Sequence, residues 1–125
     1  FPFATDANAT DVGDLVTDVY NVIGQNSSTH GYTSGGVGTP ATPVGINVIQ
    51  KFSFTVDGNS TDVGDLTVAK FGGSGTSSTV SGYMAGGQNP AYNNTIDKYP
   101  FAVDANATDV GDLLSAKTGQ GGQQV

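Results

Sequence analysis

A ten-residue segment that returns twice constrains this chain more than any other feature. It reads Asp6-Ala7-Asn8-Ala9-Thr10-Asp11-Val12-Gly13-Asp14-Leu15, then Asp57-Gly58-Asn59-Ser60-Thr61-Asp62-Val63-Gly64-Asp65-Leu66, then Asp104-Ala105-Asn106-Ala107-Thr108-Asp109-Val110-Gly111-Asp112-Leu113. An aromatic pair precedes each copy: Phe1 and Phe3, Phe52 and Phe54, Tyr99 and Phe101. The pairs begin at Phe1, Phe52 and Tyr99, 51 and 47 residues apart. A second element, Gly31-Tyr32-Thr33-Ser34-Gly35-Gly36, recurs as Gly82-Tyr83-Met84-Ala85-Gly86-Gly87. Repeat units bury their apolar faces against neighbours, and periods of about 40–50 residues belong to propeller blades and similar arrays. The chain divides into repeat 1 (1–51), repeat 2 (52–98) and partial repeat 3 (99–125). A Gly/Gln-rich tail from Gly119 is expected to fray. A closed propeller takes about four blades or more. Two and a half repeats are therefore expected to be incomplete alone, and to abut other copies of the chain or further repeats of a longer one.

The charge belongs to the repeated segment. The net charge is -7, from eleven Asp and no Glu against four Lys and no Arg, and nine of the Asp lie in the three decapeptides. Nucleic acid is a poor partner for such a chain, because backbone binding needs basic groups to displace counterions. Anionic lipid is equally poor, and no apolar run approaches the roughly 18 residues of a spanning helix, so no membrane insertion is expected. The chain has no cysteine, which removes disulfides, thiolate metal sites and Cys nucleophiles. Abundant Gly, Ser, Thr and Asn disfavours helix and favours turns between short strands. The expected class is all-β.

Period-2 alternation marks a strand from Ile46 to about Val56, with Ile46, Val48, Phe52, Phe54 and Val56 on one face. Gln50 alone breaks that face. The counterpart from Thr95 to Val103 places Tyr99, Phe101 and Val103 alike, and Phe1 to Thr5 reads as the second half of the same strand. The decapeptide reads as a loop, since its Asx, Thr and Gly residues bond locally instead of pairing regularly. A further strand is expected from Leu66, alternating with Val68. Residues 15–23 also fit a helical stripe, but repeat symmetry favours a strand. Gly24 to Thr29 and Gly72 to Thr79 read as linkers, and the Gly-Tyr segments as strands closed by Gly35-Gly36 and Gly86-Gly87. The loops beyond differ in length, with Pro40 and Pro43 in one and Pro90 in the other.

The double glycine after a short strand, followed by a loop and Ile96-Asp97-Lys98-Tyr99, resembles the kelch blade, whose Gly-Gly strand precedes a segment ending in an aromatic. The usual kelch Trp has no counterpart here. The tandem run of similar blades also resembles repeats in tail and surface proteins of aquatic phages and bacteria. The resemblance implies a propeller-like array of about two and a half blades, each of three to four antiparallel strands. It also implies an extracellular or virion setting.

Calcium is the sharpest chemical candidate. Asp6, Asn8, Thr10 and Asp14 stand at positions 1, 3, 5 and 9 of the loop, as do Asp57, Asn59, Thr61 and Asp65, and Asp104, Asn106, Thr108 and Asp112. Alternate oxygen-bearing residues on a tight loop suit a hard cation, and the pattern is similar to the cation loops of FG-GAP propeller repeats, which also end in Asp-Leu. Position 5 is Thr where Asp is usual, and the glycine of position 6 has moved to Gly13, Gly64 and Gly111. The competing reading, which takes precedence, is that these side chains bond backbone amides and shape an Asx-rich turn. Asn8, Asn26, Asn59, Asn93 and Asn106 fall in glycosylation triplets, a chance expectation in a chain this rich in Asn, Ser and Thr. His30, the sole histidine, has no repeat partner and reads as structural. The paired Asp have nothing to separate their pKa values as a glycosidase requires. Gly72-Gly73-Ser74-Gly75 lacks the Lys and helix of a phosphate loop. Tyr20, Tyr32, Tyr83, Tyr92 and Tyr99 suggest a platform for a surface glycan, although Tyr32 and Tyr83 recur at the repeat period as packing residues would. The expected function is a non-enzymatic structural and binding module, needing no cofactor. The alternatives are a lectin-like carbohydrate binder or a calcium-dependent adhesion module.

Overall fold

The computed structural model describes residues 6, 8–38 and 44–122. The expectations for Phe1 to Thr5, for Pro40 and Pro43 and for the last three residues fall outside them. The described chain is all β, and no helix occurs among the described residues. Its strands are β1 (Val19–Tyr20), β2 (Ile23–Asn26), β3 (His30–Ser34), β4 (Val37–Gly38), β5 (Val48–Ser53), β6 (Thr61–Asp65), β7 (Ser74–Ser77), β8 (Ser81–Ala85), β9 (Thr95–Pro100) and β10 (Thr108–Asp112). Two four-stranded antiparallel meanders carry the fold, β2-β3-β5-β6 and β7-β8-β9-β10, with β1 and β4 forming a small ribbon beside the first. Each sheet takes strands from both sides of the repeat boundary at its aromatic pair, so one repeat's decapeptide completes the sheet begun by the repeat before it.

Equivalent residues build equivalent turns. Between β2 and β3, Ser27 N–H donates to His30 C=O at 2.9 Å while Ser27 Oγ accepts from His30 N–H at 3.0 Å. Ser78 and Ser81 do the same between β7 and β8, at 2.9 and 3.1 Å. The side chain thus satisfies the turn amide that the hairpin leaves open. The Gly-Tyr strands end as the sequence indicates. Gly35 and Gly36 have φ of 61° and 108°, Gly86 and Gly87 of 66° and 105°, a region that L side chains rarely adopt.

The two segments read as linkers contain most of β2 and all of β7. Their strands are short of apolar residues because they pack against each other closely. A Cβ on Gly75 would lie 2.4 Å from Ile23 Cγ2 and 2.6 Å from Gly24 O, so the contact admits only backbone and small groups. Gln25 replaces apolar packing in this seam. Its Nε2 donates to Ser34 Oγ (2.9 Å) and to Tyr83 O (3.0 Å), and its Oε1 accepts from Tyr99 OH (3.0 Å). Hydrogen bonding every arm makes its burial tolerable.

The core lies between the sheets and comprises Tyr32, Ile49, Leu66, Met84, Tyr99 and Ala107, with Ile23, Val63 and Phe101 against it. Three expectations need correction here. β5 stops at Ser53, where the chain turns with Ser53 Oγ accepting the N–H groups of Thr55 and Val56, and Phe52, Phe54 and Val56 are exposed while Ile49, on the other face, is buried. Val103 is likewise exposed beyond β9. Leu66 is buried, but it follows β6 outside any strand, and Val68 is exposed.

Candidate functional site: the stacked Asp loops

The decapeptide, read as a loop, is a strand over its second half in two of three copies. Thr61–Asp65 pairs with β5 and Thr108–Asp112 with β9. In both pairs the register slips by one residue, at Val63 in the first and between Asp109 and Asp112 in the second, beside the glycine. Gly13, Gly64 and Gly111 have φ of 150°, 149° and 149°, which non-glycine residues avoid. The preceding Asp bridges the irregularity: Asp11, Asp62 and Asp109 each accept the N–H two residues on, at 3.1, 3.1 and 3.0 Å. This is Asx chemistry of the kind the sequence reading preferred.

The loops then stack on one another, which the sequence did not reveal. Asp14 N–H donates to Asn59 Oδ1 at 3.0 Å, and Asp14 C=O accepts Ser60 N–H at 2.9 Å. One repeat later, Asp65 N–H donates to Asn106 Oδ1 at 3.0 Å and Asp65 C=O accepts Ala107 N–H at 2.8 Å. Glycine permits the approach. A Cβ at Gly13 would stand 2.3 Å from Gly58 O, and one at Gly64 would stand 2.5 Å from Ala105 O. Gly111 has nothing within 4 Å. Gly64→Ala and Gly111→Ala therefore separate strain from stacking. Both introduce a side chain at the same unfavourable φ, a cost of about 1–3 kcal/mol. Only Gly64→Ala also meets a backbone oxygen, so urea denaturation should show it losing at least about 1 kcal/mol more than Gly111→Ala. Equal losses would refute the stacking contribution.

Each junction also carries a buried polar anchor behind the stack. Val16 N–H donates to Gln50 Oε1 at 2.7 Å, and Ser60 Oγ donates to the same atom at 3.0 Å. At the next junction Thr67 N–H donates to Asp97 Oδ1 at 3.1 Å, and Thr67 Oγ1 bonds that oxygen too. The residue that broke the apolar face of the strand, Gln50, is thus a connector between repeats. Asp97 Oδ2 lies 2.7 Å from Lys70 Nζ, both side chains being fully buried. Lys70 Nζ also donates to Thr95 Oγ1 at 2.7 Å. Sequence reasoning missed this pair; its one available signal is Asp97, an acidic residue outside the decapeptides.

The twelve candidate cation ligands are distributed as follows. Asp6, Asn8 and Thr10 are exposed. Asn59 and Asn106 spend their carbonyl oxygens on the neighbouring loop. Asp104 pairs with Lys51 at 2.5 Å on the surface. Thr61 and Asp65 lie in β6, and Thr108 and Asp112 in β10; Asp57 is exposed ahead of β6, and Asp14 contributes its main chain to the stack. Among the described residues no group of three or more His, Cys, Asp or Glu is placed to hold a metal ion. Among the described residues calcium therefore finds no preassembled carboxylate set, and chelation should leave the melting temperature unchanged. A fall of several degrees with EGTA, restored by Ca2+, would reinstate the cation loops.

Of the tyrosines considered for a sugar platform, Tyr32 and Tyr99 are core residues, 5.7 Å apart between ring centroids. Tyr83 lies under Lys98, whose ammonium is 5.9 Å from the ring centroid. Only Tyr20 and Tyr92 are exposed. His30 contacts Thr29 through Nδ1 at 2.9 Å, and no Ser-His-Asp set forms among the described residues. The site is a surface for joining repeats, made of main-chain groups, Asn side chains and glycines. No family model matches this sequence, and no curated protein matches it either.

Proposed function

We propose that this chain is a structural and binding module of blade-like repeats, without enzymatic activity of its own. It gives a virion tail or fibre, or a secreted surface protein, rigid reach, and it displays variable loops for attachment. One observation carries the reading: two successive junctions are made by the same positions of the decapeptide, through the same bonds. Nearest-neighbour contacts of this kind are what let a repeat array extend by addition of units. Each four-stranded meander also has the strand content of a propeller blade, which supports the kelch-like resemblance. The loop after the double glycine of the second sheet carries the exposed Tyr92 and supplies a surface for display.

The test is location. Antibodies raised against the chain should label tails, fibres or the outer surface of intact particles or cells from the source, seen by electron microscopy. Label confined to the cell interior would overturn the proposal.

A further inference from the structure

We infer that Lys70 and Asp97 condense, without enzyme or cofactor, into an isopeptide bond that joins the two sheets covalently. The pair stands in the seam between them. Lys70 N–H donates to Ile46 C=O and Lys70 C=O accepts Gly36 N–H, which ties it to the chain flanking β3 and β5. Asp97 lies in β9 of the other sheet. The two side chains are fully buried, with Nζ 2.7 Å from Oδ2. Removal from water penalises charge, so the neutral amine and acid lie closer to the ion pair in energy than they do in solvent.

The surroundings assign a part to each atom. As an ammonium, Lys70 Nζ has three N–H groups. Thr95 engages two of them, through Oγ1 at 2.7 Å and C=O at 3.3 Å. Thr95 Oγ1 gives its own proton to Asn93 Oδ1 at 2.5 Å, so it faces Lys70 as an acceptor. The proton free to transfer is therefore the one directed at Asp97, and the lone pair it vacates is aimed at the carboxyl group. The two carboxylate oxygens also differ. Oδ1 receives the Thr67 N–H at 3.1 Å and the Thr67 hydroxyl, while Oδ2 faces the amine. Two donors converging on one oxygen are what a developing oxyanion needs. Fixed placement replaces a bimolecular encounter, and exclusion of bulk water opposes the reverse hydrolysis.

The step balances within the pair. Nζ passes one proton to Oδ2 and attacks Cγ, and the new N–C bond drives the C=O electron pair onto Oδ1, where Thr67 holds the charge. A second Nζ proton moves to Oδ2, the Cγ–Oδ2 bond breaks, and one water leaves. Oδ1 becomes the amide carbonyl, still bonded to Thr67. Lys51 and Asp104 give the contrast. They are 2.5 Å apart, but their side chains are 22% and 56% exposed, so both charges stay hydrated and no bond is expected. The ion-paired chain is the starting state, and the reference for the stability of variants at either residue. Condensation adds to that stability by closing residues 70–97 into a loop that persists on unfolding.

Mass spectrometry of the purified full chain tests this directly. After incubation in native buffer the chain should be lighter by one water. Trypsin cuts after lysine, and the four lysines are Lys51, Lys70, Lys98 and Lys117. A condensed Lys70 resists cleavage, so residues 52–98 should appear as one fragment, one water light, in place of 52–70 and 71–98. Chain incubated in urea should keep its full mass, because the reaction needs the folded seam. The Lys70→Val/Asp97→Gln variant, which lacks both reacting groups, should keep its full mass as well. Thr67→Val removes the hydroxyl but not the N–H, and should slow the bond's appearance about tenfold or more with the circular dichroism unchanged. A folded parent chain that stays at full mass after prolonged incubation would overturn the inference. So would a loss of water that leaves Lys70 cleavable, since the dehydration would then lie elsewhere.

Discussion

Asp97→Gln is expected to lower the unfolding free energy by about 3–5 kcal/mol, because it leaves the Lys70 ammonium buried without its counter-charge. Both side chains are fully buried, and the carboxylate holds the Thr67 N–H with one oxygen and the ammonium with the other. Lys70→Val should cost a similar amount by stranding the carboxylate. The preceding junction supplies a neutral design for the same place. There Val19 stands at the position of Lys70, and Gln50 at that of Asp97, with Gln50 Oε1 accepting the Val16 N–H at 2.7 Å. The double variant Lys70→Val/Asp97→Gln should therefore recover most of the loss, since removing both charges also removes both desolvation costs. Thermal melts would show each single variant falling by more than about 10 °C, with the double variant close to the parent. Strict additivity of the two losses would mean that the pair is not coupled.

Tyr99→Ala is the second large effect. The ring lies 1% exposed between the sheets, 6.0 Å from Phe101 and 5.7 Å from Tyr32 by ring centroids. It also covers Gly82, whose Cβ would stand 2.4 Å from the ring. Emptying this position should cost about 3–5 kcal/mol in chemical denaturation. Tyr99→Phe keeps the ring and loses only the bond to Gln25, about 1 kcal/mol. The two variants should also differ from the parent in alkali. Burial pushes the Tyr99 phenol well above its ordinary value, and the charge of Tyr32 adds to the rise. Above about pH 10 the unfolded chain releases this proton while the folded chain retains it. Stability is therefore whole below that pH and falls as pH rises past it. Tyr99→Phe should flatten this alkaline decline; an unchanged slope would show that Tyr99 does not control it.

Local chemistry was legible wherever one residue's partners lie two or three positions away. The serine turns, the double glycines and the Asx bonds of Asp11, Asp62 and Asp109 all follow from spacing alone. The inner strands β2 and β7 were not legible. Gly24-Gln25-Asn26 and Gly75-Thr76-Ser77 lack an apolar face because their neighbour is another backbone rather than an oily core. The Lys70–Asp97 pair was hidden for a related reason. Charged residues 27 positions apart signal nothing until the chain folds them into one seam.

The clearest division falls on the pentapeptide Thr-Asp-Val-Gly-Asp. Its sequence alone determines the Asp-to-Gly hydrogen bond and the positive φ of the glycine, which are the same in all three copies. Tertiary structure alone decides whether it is a strand. At 61–65 and 108–112 it lies beside β5 and β9 and pairs with them; at 10–14 it joins no strand among the described residues. A strand is a relation between two segments, with hydrogen bonds supplied by a neighbour distant in sequence. The same five residues therefore keep their local geometry everywhere and take their secondary structure from what folds next to them.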